Sequence, residues 1–125
     1  MRKQYHFWPG DQGLDAWDVD RLIAMSADLP VREVPLEGIA DIDTDYWFEG
    51  SSAVATVRNV VEHIRLVLDV DIGYPIILGA DGRVMDGMHR IARALLDGRS
   101  SILAVQFEVQ PEPDHRNCTP EELPY

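Results

Sequence analysis

Residues Tyr74–Phe107 read YPIILGADGRVMDGMHRIARALLDGRSSILAVQF, and this run decides the fold. Pro75 to Leu78 is a short apolar run suited to a buried strand. Asp81-Gly82 is a strong hairpin-turn signal, and Val84-Met85 forms the return strand. Met88, Ile91, Ala92 and Leu95 recur at helical spacing and give a helix its apolar face. Gly98 suits the left-handed position just past that helix. Ile102 to Val109 is the last strand. The stretch from 83 to 108 is therefore strand, helix, strand, a pattern that pairs its strands in parallel through a right-handed crossover.

At the join of strand and helix stands Asp86-Gly87-Met88-His89-Arg90. A helix N-terminus presents unpaired backbone N–H groups and the positive end of the dipole, which together favour an anion such as phosphate. Gly87 lets the backbone come close to such a ligand, and Met88 and His89 follow it in the first turn. His89 is read as a hydrogen-bond donor to a phosphate oxygen, or as a charge near neutral pH. Arg90 is read as a bidentate phosphate clamp. Asp86 reads as a helix cap, with ligation of a bridging Mg²⁺ as the alternative.

Outward from this core the signals are weaker. Residues 1–13 look irregular, broken by Pro9-Gly10 and Gly13. Asp15 is placed to cap a first helix from Ala16 to Ala27, which Pro30 stops. Val31 to Ile39 reads as a strand, and Pro35 marks it as short or at an edge. Asp41 to Ser52 is an acidic and aromatic loop. Thr56 caps a second helix reaching about Leu68, with Val57, Val60, Val61, Ile64, Val67 and Leu68 as its apolar stripe and Glu62 and His63 off it. The tail, residues 109–125, is polar and proline-rich and is expected to lie over the surface or be loosely held. The whole reads as one α/β or α+β domain over residues 1–125, with about three helices and a small mixed sheet. Its core spans about 31–108, and residues 1–30 form a helical extension.

The chain carries 22 acidic against 11 basic residues, a net charge of −11. A domain this acidic is a poor partner for duplex DNA, where affinity comes from neutralising phosphates. Residues 1–57 hold eleven Asp/Glu against four Lys/Arg, whereas Arg83, Arg90, Arg93 and Arg99 outnumber Asp86 and Asp97 over 83–99. One basic island in an acidic chain suggests a local anion site, with proteins favoured over DNA as macromolecular partners. Cys118 is the only cysteine, so no intramolecular disulfide forms, which fits a reducing cytoplasm. No apolar run is long enough to span a membrane.

Asp41, Asp43 and Asp45 alternate, a spacing that lines up carboxylates on one side of an extended segment. Such a row could hold Mg²⁺ or supply a general base, although a solvated acidic loop is the simpler reading. Tyr46-Trp47-Phe48 could stack on a base or anchor the loop on the core. Glu62 is a third candidate base.

The run from Pro75 to Phe107 resembles the nucleotide-binding core shared by ParB N-terminal domains, sulfiredoxin and stand-alone ParB-like proteins. VREVPLEGI resembles the strand that opens ParB domains, and the helix at 57–68 matches the one before the hairpin. In ParB the helix-start run is Gly-Glu-Arg-Arg, of which Gly87 and Arg90 match. In sulfiredoxin it is Gly-Gly-Cys-His-Arg, of which Gly87, His89 and Arg90 match. Met88 stands at the position of the catalytic cysteine, and a thioether cannot act as that nucleophile. The resemblance implies a compact α/β fold binding a nucleotide (ATP, ADP or CTP), with Mg²⁺, at the start of the third helix. Two functions follow as expectations. One is a small phosphotransferase or nucleotide hydrolase, with Asp43, Asp45 or Glu62 as base. The other is a non-catalytic partition-type or regulatory module that uses nucleotide or protein partners.

Overall fold

The computed structural model describes residues 3–48 and 54–125; residues 49–52 of the expected acidic loop lie outside them. Among the described residues, two small sheets and three α-helices make up an α+β domain. The second sheet has the order β3-β6-β4-β5, from β3 (Arg32–Pro35), β4 (Ile76–Leu78), β5 (Val84–Asp86) and β6 (Ser101–Gln106). β3 and β6 are antiparallel, β4 and β6 parallel, and β4 and β5 antiparallel. The expected parallel pairing within 83–108 is thereby corrected. β4 inserts between β5 and β6, so the parallel partner of β6 is β4, one hairpin earlier.

Side-chain alternation builds two cores on the two faces of this sheet. Ile76, Leu78, Val84, Ile102 and Ala104 face α3 (Met88–Leu96), where Met88, Ile91 and Ala94 meet them with Leu36 and Ile39. Ile77, Met85 and Val105 face the other way, onto Trp17, Leu22 and Phe107. α1 (Val19–Ser26) supplies Leu22 to that second layer.

The N-terminal region differs from its sequence reading. β1 (Tyr5–Pro9) and β2 (Leu14–Asp18) form an antiparallel hairpin, closed where Gly10 N–H donates to the Gly13 carbonyl at 2.6 Å. The helix therefore starts at Val19 instead of Ala16, and its cap is Asp18, which accepts from the N–H groups of Asp20 and Arg21. Ala16 and Trp17 are buried strand residues. The tail is likewise structured. β7 (His115–Cys118) pairs antiparallel with β2, completing a three-stranded sheet in the order β1-β2-β7. Trp17 Nε1 donates to the Pro111 carbonyl at 2.8 Å, and Arg21 pairs with Asp114. Residues 5–18 and 111–118 thus hold one another. β3 is also shorter than the expected strand: 3-10 turns at Leu36–Gly38 and Ala40–Asp43 follow it.

α2 (Val57–Asp69) begins at the expected cap, with Thr56 accepting from Asn59 N–H. Gly98 adopts the expected left-handed conformation, φ 74°. Among the described residues, no helix is long and apolar enough to cross a membrane.

Candidate site at the start of the third helix

Gly87 is the N-cap of α3, at φ 106° and ψ 19°. A Cβ there would lie 2.7 Å from Ile76 Cγ2 and 2.8 Å from an Arg90 guanidinium nitrogen. Glycine is required by both backbone conformation and space. Asp86 is not the side-chain cap that the sequence suggested; it ends β5, and among the described residues no side chain caps the helix. Its carboxylate instead takes a 2.9 Å ion pair from Arg90, one helical turn on. Burial raises the Asp86 pKa, opposed by the Arg90 charge and hydrogen bond and by the Gly87 N–H. The guanidinium read as a phosphate clamp is therefore already held by a carboxylate.

His89 also has a partner. Its Nε2 lies 2.8 Å from Nδ1 of His63 on α2. The ring planes are 19° apart with centroids 5.1 Å apart, so the imidazoles meet edge to edge. Both lie against the indole of Trp47, at centroid distances of 4.5 Å for His63 and 5.0 Å for His89. Burial, helped by the neighbouring His63, lowers the His89 pKa to about 4. Burial also lowers that of His63, against a small upward pull from Glu62. At neutral pH the pair is uncharged and one N–H···N bond joins the two helices.

The segment 41–48 is fastened to β5 at one residue. Asp41 Oδ2 accepts from Val84 N–H at 2.8 Å, and Tyr46 O–H donates to the Val84 carbonyl at 3.1 Å. The expected row of carboxylates does not form, because Ala40–Asp43 coils into a 3-10 turn. Asp41 is used on Val84, Asp45 accepts from Phe48 N–H at 3.2 Å, and Asp43 points to solvent. Glu62 is exposed on α2. The three proposed bases are thus not gathered: only Asp45 reaches the cavity described next.

That cavity, of about 330 Å³, lies between the 41–48 segment and α3. Its lining includes Tyr46, Trp47, Phe48, Met88, Ile91 and Leu95, with Asp41, Thr44 and Asp45 contributing polar groups. The volume lies in the range of small-ligand sites, and a mainly apolar lining with a few polar groups is typical of them. Trp47 joins it to the histidine pair. A broader depression of about 560 Å³ runs along Glu33–Glu37 and Arg99–Ser101, away from every sequence candidate. Among the described residues, no three His, Cys, Asp or Glu side chains converge to hold a metal ion.

The sequence singles out His89 and places His63 off the apolar stripe, where it could face a cleft or simply lie at the surface, but does not show the bond between them. The available signal was the place of His63 in α2 four residues before Val67, on the edge that faces α3. Comparison with family models, with curated proteins and with solved structures found no match.

Proposed function

We propose that this chain is a small-molecule-binding domain for a nucleotide, acting in the cytoplasm. The base would occupy the cavity between residues 41–48 and α3, and the phosphates would lie at the first turn of α3. The observation that carries the reading is the aromatic cavity of about 330 Å³ abutting that helix start through Met88 and Trp47. A planar base stacks well on such side chains, and first-turn N–H groups suit phosphate oxygens. Mg²⁺ would arrive on the nucleotide phosphates, since that ion commonly keeps several waters and few protein ligands.

The placement of the acids favours the binding-module form of the reading over the phosphotransferase or hydrolase form. Of the three candidate bases, Asp43 and Glu62 lie outside the cavity and Asp45 alone lines it. Calorimetric titration with ATP, ADP and CTP, with and without Mg²⁺, tests the binding; phosphate release under the same conditions tests turnover. Saturable binding without turnover is the expected result. No heat with any of the three removes the reading.

A further inference from the structure

α2 buries only Val67 of its apolar stripe. His63 and Val67 face the rest of the domain, and Val67 is the helix's one buried residue. Val57, Val61, Ile64 and Leu68 are 82%, 40%, 48% and 54% exposed. At 100° per residue the inward edge and the centre of the exposed stripe are roughly 110° apart. α2 is thus docked along its His63/Val67 edge, with polar ties from the His63–His89 bond and from the Arg93 guanidinium on the Leu68 carbonyl at 2.7 Å. Residues 49–53, Glu-Gly-Ser-Ser-Ala, have no large apolar side chain to lay on the stripe.

We propose that the exposed stripe of α2 is a two-fold interface on which a second copy of this chain lays its own α2 antiparallel. The spacing of the stripe is self-complementary in that orientation. Pairing Val57 with Leu68 of the second copy also pairs Val61 with Ile64, and the two-fold repeats both contacts. Charges on the stripe's flank agree. Arg58, Glu62, Arg65 and Asp69 follow one another along one edge and make no ion pair among the described residues. The same alignment brings Arg58 within about 3 Å of axial offset from Asp69 of the second copy, and Arg65 equally close to Glu62. Parallel stacking would not match the signs in this way. A lipid surface is a worse occupant, because a chain of net charge −11 is repelled by anionic headgroups. One helix pair about 20 Å long is a small interface, so the dimer dissociates in the micromolar range.

Sedimentation equilibrium of the full chain from about 1 to 300 μM is the test. The expected result is a reversible shift from 14.1 kDa to twice that mass. Ile64→Glu sets carboxylates facing in the interface and should weaken association more than tenfold, with an unchanged circular-dichroism spectrum. A second arm is independent of core packing. The Arg58→Glu/Arg65→Glu variant and the Glu62→Arg/Asp69→Arg variant should each be monomeric alone, and their equimolar mixture should recover the dimer. A chain that stays monomeric throughout, a dimer indifferent to Ile64→Glu, or a monomer that sediments with phosphatidylserine vesicles would each overturn the proposal.

Discussion

His63 on α2 and His89 on α3 share one hydrogen bond of 2.8 Å, and Trp47 covers both rings. It is the polar contact that ties the second helix to the third beside the proposed site. His89→Ala leaves the bonding nitrogen of His63 without its partner and removes a ring from the stack. The expected loss is about 1–2 kcal/mol of unfolding free energy, read as a lower urea midpoint at pH 7. An unchanged midpoint would show that the bond contributes nothing net.

Acid should destabilise this protein before its carboxylates protonate. His6 is buried against Trp8 and Trp17, its Nε2 has no hydrogen-bond partner among the described residues, and burial followed by the Arg83 charge lowers its pKa to about 4. A folded pKa below the unfolded one means that the unfolded chain binds the proton first. Stability therefore falls as pH drops from about 6.5 to 4, by about 3 kcal/mol for this residue. His89 shifts in the same direction. Melting temperatures at pH 7.5 and 5 check this. His6→Phe, which cannot charge, should flatten much of the decline, and an equally steep decline in that variant would contradict the assignment.

Gly87→Ala meets two obstacles. The backbone sits at φ 106°, and the added methyl lands on Ile76, which is fully buried in the α3 core. Strain and displacement together should cost about 2–4 kcal/mol. Gly98→Ala is the control: it shares the positive φ but meets nothing within 4 Å, so it should cost less. Equal losses at the two positions would rule out a packing role for Gly87.

Asp86 competes with any anion at the α3 N-terminus, because its carboxylate holds Arg90. Asp86→Asn should therefore strengthen nucleotide binding about fivefold to tenfold, whereas Arg90→Ala weakens it by a similar factor. Calorimetry on the two variants reads this directly. Affinity unchanged by both substitutions would place the phosphates elsewhere.

Much of the central architecture was legible in the sequence because local signals there agree. The apolar run Ile76–Leu78, the turn Asp81-Gly82 and the stripe Met88/Ile91/Leu95 each point to the element that forms. The hairpin at 5–18 was not read, although Tyr5, Phe7, Trp8 and Trp17 are strand formers around a Gly10–Gly13 turn. Its stability depends on β7, a hundred residues away, and that pairing leaves no local trace. The same distance hid the ordered tail: His115-Arg-Asn-Cys118 has no strand pattern by itself and is held by β2. At the site, Gly87 and His89 were legible from their position at a helix start. The tie of Arg90 to Asp86 was not drawn, although their i, i+4 spacing allowed it. The cavity was invisible, because it arises from Tyr46–Phe48 folding across α3 through Val84.

The central claim is that a nucleotide sits between the 41–48 segment and the start of α3. Its most direct test is a ¹H–¹⁵N correlation spectrum of the labelled chain during titration with ADP and Mg²⁺. The account predicts saturable shifts in the backbone amides of Gly87, Met88 and His89 and in the Trp47 indole N–H, with the Trp8 and Trp17 indoles nearly still. Shifts confined to other residues, or none at millimolar ADP, would contradict it.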